Sequence, residues 1–501
     1  MFEMYQVGFA SVLQLNTLLL ILMGVVLGII FGASPGLTTS MGLVFLLPVT
    51  FGMTPVNGMS LLTALYVGGT SGGLITAILL NIPGTPAAIS TTFDGYPMAQ
   101  RGEAGKALGV GILFSFIGGL FGFALLFLLA GPMGRIAVRF TPFDYFGITF
   151  FSITLIGGLS GKSALKGVAS AFLGMLMATF GSAPLDGYPR FSFGWRQLNA
   201  GFHLIPVLVG IYAVTEILKR AEQKDEVGDI DQQSFKLIGF GISVKEFVSQ
   251  IPNAIRSMLI GVGIGSLPGL GAGQANIIAY SVAKRRSKYP EKFGTGIVDG
   301  VAASESSNNA VIGGALIPTL TMGIPGDAGT AMLLAGFMIH GIQPGPMLMQ
   351  TSASLVYTIF AALIVANFVM IAVEYFGIRM FVRLLKIPKS YILPVIITLC
   401  MVGAFSLNNR IFDAISILIF AVIGYWLYKF EYPMPPFILG FILSPIIEIN
   451  FRRGLIISQG SYLEFLQRPL SAAFIVLTLV SFAFMVFRRR PGRPQSASYE
   501  E

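Results

Sequence analysis

Between Leu18 and Ile30 the chain carries no polar residue. A helix that is apolar all round has no face to offer to water, so it belongs inside a large core or a membrane. Comparable runs recur along the 501 residues, of which 54% are hydrophobic and 11% charged, where soluble chains carry about 25% charge. Mean hydropathy is +0.78. The reading is an all-α polytopic membrane protein. An outer-membrane barrel would alternate apolar and polar residues along each strand, and these runs do not alternate. A plain crossing helix needs about 20 apolar residues. The runs near 13–33, 58–82, 106–131 and 352–377 meet that length, whereas those near 40–52, 274–283 and 328–340 are short or broken by Gly and Pro. The pattern predicts roughly a dozen elements at membrane depth.

The breaks are duplicated. Pro35-Gly36-Leu37 and Pro268-Gly269-Leu270 each interrupt an apolar segment, and each is followed by Ile-Pro-Gly, at Ile82-Pro83-Gly84 and Ile324-Pro325-Gly326. A third echo pairs Arg135-Ile136-Ala137-Val138-Arg139 with Arg379-Met380-Phe381-Val382-Arg383. The offsets are 233, 242 and 244 residues, in the same order. Two related halves follow: a first membrane repeat over 1–218, a polar linker over 219–253, a second repeat over 254–487 and a basic tail over 488–501.

Loop charge sets orientation, because Lys and Arg favour the cytoplasmic side. The loop Thr50–Gly58 has neither residue, while its counterpart carries Lys284, Arg285, Arg286, Lys288 and Lys292. The loop after the first Ile-Pro-Gly carries Arg101 and Lys106, and the matching loop Gly336–Gln350 carries none. The bias flips, which predicts inverted repeats, re-entrant or broken helices at the Pro-Gly motifs, and a cytoplasmic linker and tail. Arg135 and Arg139 then fall outside, against the trend. The net charge of +9 sits in such loops and the tail, so it signals membrane orientation and not a nucleic-acid partner. The first residues, Met1–Gln14, lack a basic region and contain Glu3, so no cleavable signal peptide is expected.

Pro and Gly inside a membrane helix free backbone groups that cannot face lipid. Half-helix N-termini attract anions, and unwound carbonyls suit Na⁺. The candidate solute-binding residues are Ser34, Pro35, Gly36, Thr38, Asn81, Gly84 and Thr85 in the first half. In the second they are Pro268, Gly269, Gly273, Gln274, Pro325, Gly326 and Asp327. Asn81, Glu305, Asn308 and Asn309 are candidate ion ligands, because acids and amides at membrane depth are costly. Plainer roles stand beside these: a packing kink at each Pro-Gly, close helix approach at the glycines, a first-turn position for Glu305 and an N-cap for Asp327. Asp94-Gly95-Tyr96-Pro97 recurs as Asp186-Gly187-Tyr188-Pro189, and Asp-Gly makes both read as loop turns.

Other chemistries lack their residues. Gly161-Lys162-Ser163 resembles the end of a phosphate-binding loop, but Ile156 stands where that motif needs Gly. Cys400 is the one cysteine, and His203 and His340 are the two histidines, so no cofactor and no metal beyond Na⁺ is expected, with H⁺ the alternative coupling ion. No His-Glu-x-x-His is present, and no serine is singled out as a nucleophile. The chain is read as a non-enzyme, with a channel or membrane-embedded enzyme as the competing classes.

The motif set resembles the large membrane subunit of the tripartite tricarboxylate transporters. The resemblance rests on Leu47-Pro48-Val49-Thr50-Phe51-Gly52-Met53, Ala77–Pro86, Asp94–Met98, Gly102–Gly109, Leu267–Gly271, Asn308-Asn309-Ala310, Gly313–Pro318, His340–Pro346 and Arg468-Pro469, and so spans nearly the whole chain. It implies a bacterial inner-membrane secondary transporter of small carboxylates, coupled to Na⁺. It also implies two partners, a small membrane subunit and a periplasmic substrate-binding protein. A stand-alone carboxylate symporter is the neighbouring reading. Two positions depart from the pattern. Asp327 stands where a small hydroxyl residue is expected after Ile-Pro-Gly, and Gly68-Gly69-Thr70-Ser71 replaces an aromatic-containing stretch, which points to a solute other than citrate.

Overall fold

The computed structural model describes residues 2–34, 37–159, 163–222, 239–384, 398, 401, 405 and 409–487. The described part is helical, apart from a two-residue antiparallel ladder of Gly181–Ser182 with Pro189–Arg190. The helices are α1 Phe2–Val12, α2 Leu15–Ala33, α3 Thr39–Thr50, α4 Pro55–Leu80, α5 Ile89–Met98, α6 Ala104–Ala137, α7 Pro142–Leu159 and α8 Ala164–Ala178. Then α9 Leu204–Leu208 runs through a π turn into α10 Thr215–Glu222. After the linker come α11 Val244–Gly265, α12 Gly271–Arg286, α13 Val298–Met322, α14 Ala328–Ile339, α15 Leu348–Thr351 and α16 Ala353–Leu384. The last are α17 Ile411–Lys429, α18 Met434–Ile457, α19 Glu464–Gln467 and α20 Pro469–Phe487.

Six helical runs among the described residues are long and apolar enough to cross a membrane. Another, α13, has 25 residues but carries Ser304-Glu305-Ser306-Ser307-Asn308-Asn309 midway, all buried. The protein is therefore a multi-pass helical membrane protein that keeps its polar helix inside. The linker region is helical at both described ends, through Glu222 and from Val244. The tail 488–501 lies outside the described residues.

Glycine sets the closest contacts. On α2, Gly24, Gly28 and Gly32 lie against the backbone of Leu61, Leu65 and Gly69 on α4, where any Cβ would collide. On α11, Gly261 and Gly265 lie the same way against Ser307 and Val311 on α13. Small residues let membrane helices approach backbone to backbone. The long helix of each half packs on the glycine-rich helix of the other, α6 on α13 and α16 on α4. Likewise α14 touches α3 of the first half, and the turn before α5 touches α12 of the second.

Both apolar segments break where Pro-Gly-Leu predicts. Ser34 caps α2 and α3 starts at Thr39; α11 ends at Gly265 and α12 starts at Gly271. Pro35 and Gly36 lie outside the described residues, but the second break is described in full. At about 1.5 Å rise per residue, the 12 residues of α3 span about 18 Å, too short to cross.

Candidate functional site

A cavity of about 510 Å³ lies where the breaks converge. Four chain starts point into it: Thr38-Thr39-Ser40 opening α3, Thr85-Pro86-Ala87 before α5, Gly269–Gln274 opening α12, and Asp327-Ala328-Gly329 opening α14. Tyr66 and Thr70 from α4 and Asn308 from α13 line the same space. The lining contains no Lys, Arg or His.

The four starts are capped differently. The Thr38 side chain accepts from the Met41 amide at 3.2 Å. Asp327 caps α14, accepting from the Thr330 amide at 2.7 Å, the Thr330 hydroxyl at 2.9 Å and the Tyr66 hydroxyl at 2.6 Å. Thr85 caps the short helix before α5 without a side-chain bond, and its buried hydroxyl has no partner. At α12 the capping position is Leu270, which has no side chain able to accept. No side chain therefore caps the start of α12, which lines the cavity, and helix N-terminal amides without a side-chain cap suit an anion. Gly269 and Gly271 make this turn possible, with φ of 83° and 65°. The Gly269 amide donates to the Gly326 carbonyl at 2.6 Å, joining the two Pro-Gly motifs of this half.

Of the sequence candidates, Thr38, Thr85, Gly269, Gly273, Gln274, Asn308 and Asp327 line the cavity. Gly84, Gly326, Ser34, Pro268 and Pro325 lie outside its lining. A Cβ on Gly84 would strike the Gly32 carbonyl, and one on Gly326 the Gly265 carbonyl, so the same close approach is made once per half. Asn81 also lies off the cavity: it is the exposed left-handed cap of α4, with φ 55°, as Gly323 caps α13 with φ 72°. Asn tolerates that conformation better than other side chains, so its place is explained by the cap. Asn309 is buried off the lining, with both side-chain polar atoms unpartnered. Asp327 is the N-cap that its position suggested. Glu305 is not in a first turn, which belongs to Asp299. It is fully buried midway along α13 and accepts from Thr91, from Ser115 at 2.8 Å and from Asn308 at 3.5 Å.

One turn assignment needs correction. Asp186-Gly187 does form a turn beside the short ladder, with Gly187 at φ 67°. There the Arg452 guanidinium holds the Asp186 carboxyl below its ordinary range. Asp94, in contrast, lies within α5 and is wholly buried. Its Oδ1 accepts from the amides of Gly294, Gly296 and Ile297 at 2.9, 2.8 and 3.0 Å, and its Oδ2 from the Tyr280 hydroxyl at 2.8 Å. Arg101 donates to the carbonyls of Thr295 and Gly296. The first half thus grips the basic loop between α12 and α13. A lone tetrapeptide cannot reveal this, because the partners are backbone amides some 200 residues away. Sequence reasoning met Thr70 only within the stretch Gly68–Ser71 and passed over Tyr66 and Glu374. The last had a signal, an acid inside an otherwise apolar run.

Fold and site together define a multi-pass helical membrane protein whose helices break around a half-open cavity lined by hydroxyl-bearing and apolar residues. The model of the tripartite tricarboxylate transporter TctA family matches residues 18–439, and the chain belongs to that family. It is 32% identical over 472 residues to the "Uncharacterized 52.8 kDa protein in TAR-I ttuC' 3'region" of Agrobacterium vitis, covering 94% of this chain and 93% of that protein. It is 36% identical over 217 residues to the "Uncharacterized protein in TAR-II ttuC' 3'region" of the same organism, covering 43% of this chain and 90% of that protein. No solved structure matches.

Proposed function

We propose that the chain is the large permease subunit of a binding-protein-dependent carrier. It takes small carboxylates across the bacterial inner membrane, driven by a cation gradient, Na⁺ or H⁺. Its partners are a small membrane subunit and a periplasmic substrate-binding protein. The observation that carries the reading is the start of α12, without a side-chain cap, at a cavity whose lining includes the hydroxyl-bearing residues Thr38, Thr39, Ser40, Thr70 and Thr85. Amide dipoles and hydroxyls hold a carboxylate without a fixed cation. A cavity free of Lys and Arg also releases its cargo more readily than one built on ion pairs.

The two halves are read as inverted repeats around this cavity, with the Pro-Gly segments as broken or re-entrant helices. Support comes from the flipped loop charges, and from the way each half's long helix and post-break helix pack on the other half. The basic loop between α12 and α13 then lies in the cytoplasm, and the α3–α4 turn outside. Asp327 places one carboxylate in the cavity wall, which disfavours trianions and favours solutes with fewer charges and a hydroxyl.

The test is uptake by proteoliposomes holding the permease, its small subunit and the binding protein. Labelled carboxylate should accumulate only with an inward cation gradient and with the binding protein present. Uptake indifferent to both removes the coupling and the tripartite reading together.

A further inference from the structure

Two fully buried carboxyls stand behind the cavity, Glu305 on α13 and Glu374 on α16. They flank one step of α4. Asn308 donates to the Thr70 carbonyl at 3.0 Å and to Glu305, while the next residue, Ser71, donates to Glu374 Oε2 at 2.9 Å. Thr70 and Asn308 are themselves cavity wall, so the pair sits one residue deeper than the solute space.

The carboxyls are not equally served. Donors from Thr91, Ser115 and Asn308 cover both oxygens of Glu305. Among the described residues Glu374 has the single hydroxyl of Ser71, and its Oε1 is buried with no partner. The Asn308 side-chain oxygen, on an amide whose nitrogen reaches Glu305, is also buried and unpartnered. Among the described residues neither acid is in an ion pair. A buried carboxylate without a counter-charge is strongly unfavourable, and more so at membrane depth. Bare carboxylate and amide oxygens are hard donors, suited to a hard cation.

We propose that Glu305 and Glu374 form a binding site for a transported monovalent cation behind the cavity floor, with the Asn308 side-chain oxygen as a third donor. The shared chemistry is one positive charge, supplied by Na⁺ or by a proton. The site rests on the reading of the protein as a cation-coupled carrier. It joins α13 and α16, so the cation links the glycine-rich helix of the second half to α4 of the first through Thr70 and Ser71.

The test uses purified full-length protein without solute, so its result does not depend on the carboxylate assignment. Binding of ²²Na⁺ and net proton uptake between about pH 5 and pH 9 are measured for wild type, Glu374→Gln and Ser71→Ala. If the site holds Na⁺, Glu374→Gln weakens Na⁺ binding about tenfold or more, and Ser71→Ala weakens it less. If it holds a proton, wild type shows no such Na⁺ binding but takes up one more proton than Glu374→Gln. Should Glu374→Gln fail to fold, Ser71→Ala, which removes the one described donor to Glu374, must still shift Na⁺ affinity or proton uptake. Folded variants that match wild type in both measurements overturn the proposal.

Discussion

Thr85 and Asp327 occupy equivalent places, the cap directly after Ile-Pro-Gly in each half, yet the Thr85 hydroxyl has no partner and the Asp327 carboxylate has three donors. The same contrast runs outward along the chain. Beyond Thr85, α5 carries Asp94, which holds three backbone amides and a tyrosine hydroxyl of the other half. Beyond Asp327, α14 ends at His340, whose Nε2 is buried without a partner beside Gly58. The two Ile-Pro-Gly caps are thus served differently. The first half leaves its cavity end open and fastens its outer end. The second half fills its cap at the cavity and, among the described residues, leaves the His340 Nε2 at the end of α14 without a partner.

The largest effect separating the two ends is expected at Asp94. Asp94→Ala removes the acceptor of three part-buried loop amides and of the buried Tyr280 hydroxyl and should destabilise the protein by about 3–5 kcal/mol, read as a lower midpoint of thermal unfolding in detergent. His340→Ala, at the C-terminal end of α14, should cost less than about 1 kcal/mol. Equal losses would erase the distinction between a fastened and a loose end.

The cavity ends are compared by exchange. Asp327→Thr makes the second half resemble the first. Removing that charge should raise affinity for more highly charged carboxylates about tenfold, while Thr still serves as a cap. Thr85→Asp should do the reverse and abolish carboxylate binding. Binding to purified protein reads both, and unchanged selectivity would take Asp327 out of the solute's surroundings. Thr85→Val removes the free hydroxyl and should weaken solute binding about fivefold, close to one hydrogen bond.

The smallest effect lies at the caps of α4 and α13. Asn81→Gly copies Gly323 and should be nearly neutral for stability and uptake. Asn81→Ala, forced into a left-handed cap, should cost about 1–2 kcal/mol without changing solute or cation affinity. A changed affinity would return Asn81 to the binding site.

These contrasts also show what a sequence carries and what it leaves out. The membrane class and the two breaks are legible because they rest on local facts: apolar runs and residues that cannot continue a helix. The uncapped start of α12 is half legible, since Gly269-Leu270-Gly271 offers no acceptor side chain at the cap. The acids were harder. Glu305 reads equally well as a first-turn residue or a buried ligand, because the start of α13 is not marked by a side-chain cap. Asp94 reads as a turn, because its partners are backbone amides brought up by the fold. Asn81 reads as a ligand, because only its φ of 55° reveals the cap.

The central claim is that the two halves run in opposite senses around one cavity, and labelling of two matched loops tests it most directly. In a Cys400→Ser background, Gly52→Cys lies in the α3–α4 turn, where a side chain meets open space. Lys288→Cys lies in the exposed basic loop after α12. With a membrane-impermeant maleimide on intact cells, the account predicts that the Gly52→Cys protein is labelled at once, and the Lys288→Cys protein only after permeabilisation. Labelling of both from the same side would contradict it.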